Sequence, residues 1–305
     1  MDRLEAMRVF VAVADAGGFA PAARQLNLSP PAVTRSIAAL EQHLGVRLLH
    51  RTTRLVRVTE AGARYLDDCR RILAEVEEAE ASVGGAHAEP QGVLGVTAPA
   101  MFGPMYVAPL LLDFLAQHPR VRVRSVFVDR VVNLIDEGLD VAVRIARLPD
   151  SSLTAVRVGA VRRVVVASPA YLAARGTPRT PADLAEHDAI GFTPAGGAPA
   201  PWVFRADERA PPQTVQPRVR LEVNGSEVGI QAALAGFGLT RALSYQVAPH
   251  VQAGTLRIVL AEYEPRPIPI HLVYPEGRRA AAKVRAFVAF AAERLRQDSR
   301  LALPS

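Results

Sequence analysis

Phe19-Ala-Pro-Ala-Ala-Arg-Gln-Leu-Asn-Leu-Ser-Pro-Pro-Ala-Val-Thr-Arg-Ser-Ile37 reads as a helix, a tight turn and a second helix. Ala22, Ala23 and Leu26 recur at one-turn spacing in the first half, and Val33, Ile37, Leu40 and Leu44 do so in the second. Asn27-Leu28-Ser29 interrupts the pattern between them. Ser29 suits the N-cap, where its hydroxyl accepts from a free amide of the first turn, and Pro30 suits the first helical position. Two short helices with small alanines where they touch describe a helix-turn-helix, a motif whose second helix lies in the DNA major groove.

The flanks extend this reading. Leu4, Met7, Phe10, Val11, Val13 and Ala14 mark a preceding helix that Gly17-Gly18 ends. After Gly45, the stretch from Val46 to Val58 alternates Leu48, Leu49, Leu55, Val56 and Val58 with arginines around a polar centre, which predicts a two-stranded wing. Between Ala20 and Arg64 seven arginines stand against Glu41 and Glu60, a net of +5. Such a segment is a phosphate-binding footprint. From Tyr65 to Glu89 two arginines stand against seven acids, so the next helix cannot share that role. It starts at Thr59 as N-cap and carries one narrow apolar stripe, Leu66, Cys69, Leu73, Val76, Ala79 and Val83. A stripe of this kind needs a partner, most simply its own copy. Residues 84–92, rich in Gly and Ala, read as a hinge.

With 305 residues, half of them apolar, the chain has material for two or three domains. The formal charge is +6, and all but one of the 36 basic residues are arginine, Lys283 being the exception. A single cysteine, Cys69, excludes an intramolecular disulfide and suits a reducing cytosol. No leader segment and no membrane span are expected, which places the protein in the cytoplasm. From Val93 onward strands and helices alternate: strands at 93–97, 121–128, 139–144 and 163–168, with helices at 104–117 and 130–137. Short helices follow at 169–175 and 181–186, and strands near 188–192, 202–206 and 218–223. The chain closes with a helix at 226–235, strands near 238–241, 255–260 and 268–274, and a helix at 280–297. This alternation predicts parallel strands joined by crossovers.

The motif Phe19-x-x-Ala-Ala-Arg-x-Leu-x-Leu-Ser-x-x-Ala-Val-Thr-Arg-x-Ile37, followed by Leu40-Glu, Leu44-Gly, Leu48-Leu49-x-Arg51 and Val58-Thr-Glu-Ala-Gly62, resembles that of the LysR-type transcriptional regulators. Asp140-Val-Ala-Val-Arg144, the run Val164–Leu172 and Ala233-Leu-Ala-Gly-Phe-Gly238 extend the resemblance over nearly the whole chain. It implies an all-α winged helix-turn-helix with a long linker helix, plus a two-lobed α/β periplasmic-binding-protein-like effector domain. The expected boundaries are 1–58 for the winged motif, 59–92 for the linker helix and hinge, and 93–305 for the effector domain. Lobe one would take 93–161 and 267–305, and lobe two 162–266. Family members bind promoter DNA as dimers of dimers, commonly respond to a small ligand between the lobes, and act on RNA polymerase. The sequence departs from the family pattern at Pro30, where a polar residue is common, and at Ala20, where Ser or Thr commonly caps. It also departs at Asn133 and at Asn224-Gly225 beside the cleft.

The DNA-facing set is then Ser29, Pro30, Pro31, Thr34, Arg35, Ser36 and Ala39 on the helix, with Arg51, Arg54 and Arg57 on the wing. Against this stands a merely solvated helix face and a charged strand edge that blocks aggregation. Cys69 reads as a packed dimer-interface thiol rather than a redox sensor, which needs an exposed, activated thiolate. Thr97, Ala98, Pro99, Ala100, Met101 and Phe102 lead from the first strand towards a helix N-terminus, where amides attract anions. Arg144, Thr193, Asn224 and Arg241 fall near strand ends, where open α/β sheets bind ligands. Two readings stand for Thr97, pocket lining or a simple N-cap, and two for Arg144, a cleft residue or a partner of Asp140 or Asp129. If two arginines face the cleft, the effector is a carboxylate. Gly-x-Ser-x-Gly, a phosphate loop and zinc-spaced histidines are all missing from the sequence, which argues against an enzyme and against a metal or other cofactor. The alternatives are an effector domain used only for oligomerisation, and an enzyme or solute-binding protein on the same scaffold.

Overall fold

A computed structural model describes residues 2–51, 56–83, 89–149, 152–193, 201–205, 211–276 and 281–302. The chain divides into two compact units, Met1–Glu89 and Pro90–Ser305.

In the first unit the helix ends follow local chemistry. Helix α1 (Arg3–Ala16) starts at Asp2, whose carboxylate accepts from the amides of Leu4 and Glu5, and stops at Gly17 with φ 64°. Helix α2 (Phe19–Gln25) follows, with Gly18 at its N-cap and no side-chain cap. Ala20, expected at the capping position, lies one residue inside the helix instead. Helix α3 (Pro30–Leu44) begins as the sequence predicts, with Ser29 Oγ accepting from the Ala32 amide at 3.3 Å, and ends at Gly45 with φ 68°. Strands β1 (Leu49–Arg51) and β2 (Val56–Val58) form the antiparallel wing, His50 opposite Arg57. The Glu41 carboxylate of α3 ties the wing down by accepting from the amides of Leu48 and Leu49 at 2.9 and 3.1 Å. Thr59 then caps helix α4 (Glu60–Val83), accepting from Gly62 at 2.9 Å while donating to the Arg47 carbonyl at 2.8 Å.

The core of this unit joins Val9, Phe10, Val13, Ala22, Val33 and Ile37 with Leu48, Leu49 and Cys69. Cys69 is fully buried within its own chain, and Leu66 and Tyr65 pack against the same cluster. This corrects the expectation for the apolar stripe of α4. Its first half packs on the winged motif: Cys69 has no surface left for a second copy, and Leu66 is half-buried there. Leu73 is also buried, Val76 is half-exposed, and Ala79 and Val83 lie in the helix but their side chains lie outside the described set.

The second unit holds two five-stranded mixed sheets and a two-stranded antiparallel ribbon. Its elements begin with β3 (Gly92–Ala98), a π-helical turn Gly103–Val107, α5 (Ala108–Gln117), β4 (Val121–Phe127), β5 (Val141–Ile145) and β6 (Leu153–Val161). There follow β7 (Arg163–Ala167), α6 (Pro169–Arg175), β8 (Asp188–Phe192), β9 (Trp202–Phe204), β10 (Gln213–Val215) and β11 (Arg218–Val223). Last come α7 (Ser226–Leu234), β12 (Leu239–Leu243), α8 (Ser244–Gln252), β13 (Arg257–Val259), β14 (Ile268–Pro275) and α9 (Ala282–Gln297). Lobe one has strand order β4-β3-β5-β14-β6, and lobe two β11-β8-β12-β7-β13. The β3–β4, β3–β5, β8–β11 and β8–β12 pairs are parallel, as alternation predicts. The pairs β14–β5, β14–β6, β12–β7 and β13–β7 are antiparallel, because the chain crosses between lobes and re-enters each sheet from the other end.

Residues 130–137 are not the helix their composition suggests. Asn133 turns the chain by accepting from the amide of Ile135 at 3.1 Å, and Val132, Leu134 and Leu139 plug the open face of lobe one. Strand β6 and helix α8 also lie where the sequence pattern predicts no element. β6 runs into β7 with only Arg162 between them, and α8 carries Pro249 in its interior.

Candidate DNA-contacting face and interlobe cleft

On α3, Pro30, Pro31, Thr34 and Arg35 are exposed, while Ser36 and Ala39 are half-buried beside the core-facing Val33, Ile37 and Leu40. Proline at the first two helical positions leaves no amide there for a phosphate or a base edge. The Thr34 hydroxyl donates to the Pro30 carbonyl at 3.0 Å, so towards DNA it is left with acceptor capacity. Arg35 projects from the same face, and no ion pair engages it among the described residues. On the wing, Arg57 is exposed on β2 and Arg51 ends β1, its side chain not described; Arg54 lies outside the described residues. Cys69 is inert by its surroundings: burial pushes its thiol up to about 11, and Tyr65 beside it is raised to about 12.

In the second unit a cleft of about 720 Å³ opens between the two sheets. Thr97, Ala98 and Pro99 from the end of β3 line it, with Arg144 from β5 and Arg241 from β12. Thr97 is a buried strand residue and no N-cap, since the helical turn starts beyond Phe102. Arg144 donates from Nη2 to the Val132 carbonyl at 2.9 Å and pairs with neither acid. Asp129 instead accepts from the Ala100 amide at 2.9 Å, and Asp140 accepts from Gly95 at 2.7 Å.

Five predicted residues do not line the cleft. Phe102 is fully buried, its ring 4.6 Å from that of Tyr106 and 5.2 Å from that of Tyr245. Met101 packs against the apolar clusters of both lobes, and the Ala100 amide is bound to Asp129. Thr193 is buried and donates from both amide and hydroxyl to the Val223 carbonyl, at 2.8 and 3.4 Å. Asn224 is exposed at the end of β11 and away from the lining. Beyond these strand ends Phe102 and Thr193 turn into the core while Asn224 faces solvent.

The cleft recruits instead Arg163 from β7, Trp202 from β9, Tyr245 and Gln246 from α8, and Arg147. In the β7–β12 register Leu243 faces Arg163 and Arg241 faces Val165, so the two arginines are diagonal neighbours on one face of the sheet. Burial and the Arg163 charge push the Arg241 guanidinium down to about 10, and burial lowers Arg163 as well. Arg241 lies 5.8 Å from the centre of the Trp202 ring and donates to the Pro201 carbonyl at 3.2 Å. Neither arginine meets an acid among the described residues, an arrangement that is costly unless something else supplies the charge. Strand ends alone could have flagged Arg241; only the register shows that Arg163 shares its face.

Comparison with known proteins bears on both regions. Residues 4–63 match the family of bacterial regulatory helix-turn-helix proteins, lysR family, and residues 87–296 match the LysR substrate binding domain. A helix-turn-helix transcriptional repressor of Pseudomonas aeruginosa is 35% identical over 303 residues, covering 99% of this chain and 95% of its own. The regulator CrgA of Neisseria meningitidis is 35% identical over 292 residues, covering 95% of this chain and 96% of its own. The solved structure of CrgA, described as a LysR-type transcriptional regulator, aligns with a TM-score of 0.61 and 34% identity over 95% of this chain and 98% of that one.

Proposed function

The chain belongs to the LysR family of DNA-binding transcriptional regulators and is not an enzyme, and on that premise we propose that its promoter binding is controlled by a small anion, a carboxylate, held between the lobes of the second unit. The observation that carries the proposal is the cleft itself: about 720 Å³ of open space lined by Arg144, Arg147, Arg163 and Arg241, none of which pairs with an acid among the described residues. An effector domain used only for assembly would have no reason to keep two half-buried guanidinium groups facing a void.

In this reading residues 1–58 bind DNA, 59–92 link and pair protomers, and 93–305 hold the effector. Arg35 contacts bases or phosphates from α3 in the major groove, with Thr34 and the flanking Ser29, Pro30, Pro31, Ser36 and Ala39 shaping that surface. Arg51, Arg54 and Arg57 contact the backbone from the wing. With two prolines at its start, α3 offers few readers, so groove shape carries a large part of the specificity. Because the first half of α4 is spent on the winged core, self-pairing falls to its second half. Two dimers then assemble through their effector domains on promoter DNA, and the effector changes half-site spacing and access for RNA polymerase. No single helix among the described residues is long and apolar enough to cross a membrane, and the relatives are transcription factors, which supports a cytoplasmic site of action.

The test is a footprint of the full chain on the DNA adjoining its own gene, with and without small carboxylates. Sequence-selective protection that an acid shifts is expected; protection indifferent to sequence would overturn the reading. Arg57→Ala is expected to weaken binding to every sequence alike and to flatten the slope of log affinity against log salt by about 0.9, one phosphate contact. An unchanged slope would remove Arg57 from the interface.

A further inference from the structure

The charges around the cleft are distributed in a way that bears on the shape of its occupant. Five arginines line it: Arg130, Arg144 and Arg147 on the lobe-one wall, Arg163 and Arg241 on the lobe-two wall. Glu137 matches Arg130 through two bonds of 2.6 and 2.8 Å, and Asp129 is the one lining acid. Three positive charges therefore remain in excess among the lining groups, and they are shared between the two walls. Arg144 spends Nη2 on the Val132 carbonyl, which leaves its other donors without a partner among the described residues. Arg147 is exposed and has no acid partner among them. Apolar groups accompany the arginines in the same lining, Ile145 and Leu148 next to Arg144 and Arg147, and the largely buried Trp202 and Tyr245 on the lobe-two elements.

Like charges on opposing walls repel, and they do so more strongly where water is displaced. One anionic group at one wall would neutralise that wall and leave the other unanswered. We propose that the effector is a two-ended anion with an apolar middle, a dicarboxylate, whose ends are taken by Arg163 and Arg241 on lobe two and by Arg144 and Arg147 on lobe one, so that binding draws the lobes together. The proposal rests on the reading that the cleft holds the effector. Planar guanidinium groups match carboxylates through paired donors, which makes arginine suitable at both ends. The distance between the walls then selects chain length.

Isothermal titration of the full chain with succinate, glutarate, adipate, pimelate and terephthalate, each beside its monomethyl ester, tests this. One equivalent of dianion is expected to bind, with an optimum length. Each monoester should bind at least about tenfold more weakly, the cost of losing charge-assisted contacts at one end. Arg163→Gln and Arg144→Gln should each reduce the best dianion to the level of its monoester. Without ligand, Arg163→Gln should melt no lower than the parent, because it removes an unmatched half-buried charge; a lower melting point would make Arg163 a structural group and overturn its role.

Monoesters that bind as tightly as dianions, or two equivalents of monoester, would overturn the two-ended ligand and leave the cleft reading intact. So would a binding acid that responds to Arg163→Gln but not to Arg144→Gln. An acid that shifts the DNA footprint while neither substitution alters its binding would overturn the cleft reading itself. Absence of saturable binding by every acid of the series would overturn the dicarboxylate.

Discussion

A methyl group added at Gly62 would lie 2.1 Å from the Leu48 carbonyl oxygen and 2.8 Å from Cγ1 of Val58. The first of these is backbone, so the winged motif has nothing flexible to move aside. Alanine would gain about 1 kcal/mol in helix propensity, yet the overlap forces α4 off the wing. Gly62→Ala is expected to destabilise the first unit by about 1–3 kcal/mol, read by far-UV circular dichroism during urea unfolding. Trp202, the only tryptophan, lies in the other unit, and its fluorescence should be unaffected. A wild-type midpoint for the first unit would show that α4 and the wing do not depend on that approach. Ser29→Ala should cost about 0.5–2 kcal/mol in the same experiment through loss of the α3 cap. The two residues differ in how they were legible. Ser29 announces itself in the sequence because its partner, Ala32, is three residues away. Gly62 and Cys69 were visible only as parts of a motif and a stripe, since what they touch is brought in by other elements.

At the scale of elements, the helices of the winged motif and the parallel core strands followed from periodicity, because each buries one stripe or one face. Residues 130–137, β6 and α8 did not. The first is apolar without being helical, because Val132, Leu134 and Leu139 fill a sheet face from an irregular turn held by Asn133. Strand β6 is an edge strand set by pairing with β14, a distant part of the chain. That pairing also places His271 of β14 opposite Arg144 on one side and Arg157 on the other. Burial, followed by the Arg157 charge, lowers the His271 pKa below its ordinary 6.5, and burial lowers His187 likewise. Both therefore bind a proton more readily in the unfolded chain than in the folded one. The stability they contribute is complete above about 6.5 and is lost as pH falls through the lowered values. The urea midpoint followed by Trp202 fluorescence should fall between about pH 7.5 and about pH 5.5. His271→Leu should make that dependence shallower, whatever it does to the midpoint itself. An identical slope in the variant would mean that His271 titrates equally in both states.

Across the second unit, the two-lobed plan was legible through its resemblance to a known architecture, but the cleft chemistry was only half legible. Arg241 sits near a strand end and invited attention; Arg163 opens a buried valine strand, and its cleft-facing side is decided by pairing with Leu243. The same limit applies to the hinge between the lobes. The chain crosses at Arg162, between β6 and β7, and again ahead of β14 at Glu264. Arg162 Nη1 reaches both Glu264 carboxylate oxygens at 3.0 Å, so the two crossings are bound to each other. Ser244 adds backbone ties to the first crossing: its hydroxyl accepts from the Arg162 amide at 3.1 Å and its amide donates to the Arg162 carbonyl at 2.8 Å. Burial raises the Glu264 pKa while Arg162 draws it down, so the carboxylate depends on its partner to stay charged. The Arg162 side chain is 42% exposed against 11% for Glu264, and solvent screening holds the value of the pair to about 1 kcal/mol. A small energy placed at a hinge nonetheless acts on lobe motion more than on global stability. Glu264→Gln keeps the shape and removes the charge. It should leave global unfolding within about 1 kcal/mol of the parent and accelerate amide hydrogen exchange at the two crossings. If exchange rises throughout both lobes, the pair supports the fold as a whole; if it rises nowhere, the pair does not hold the crossings.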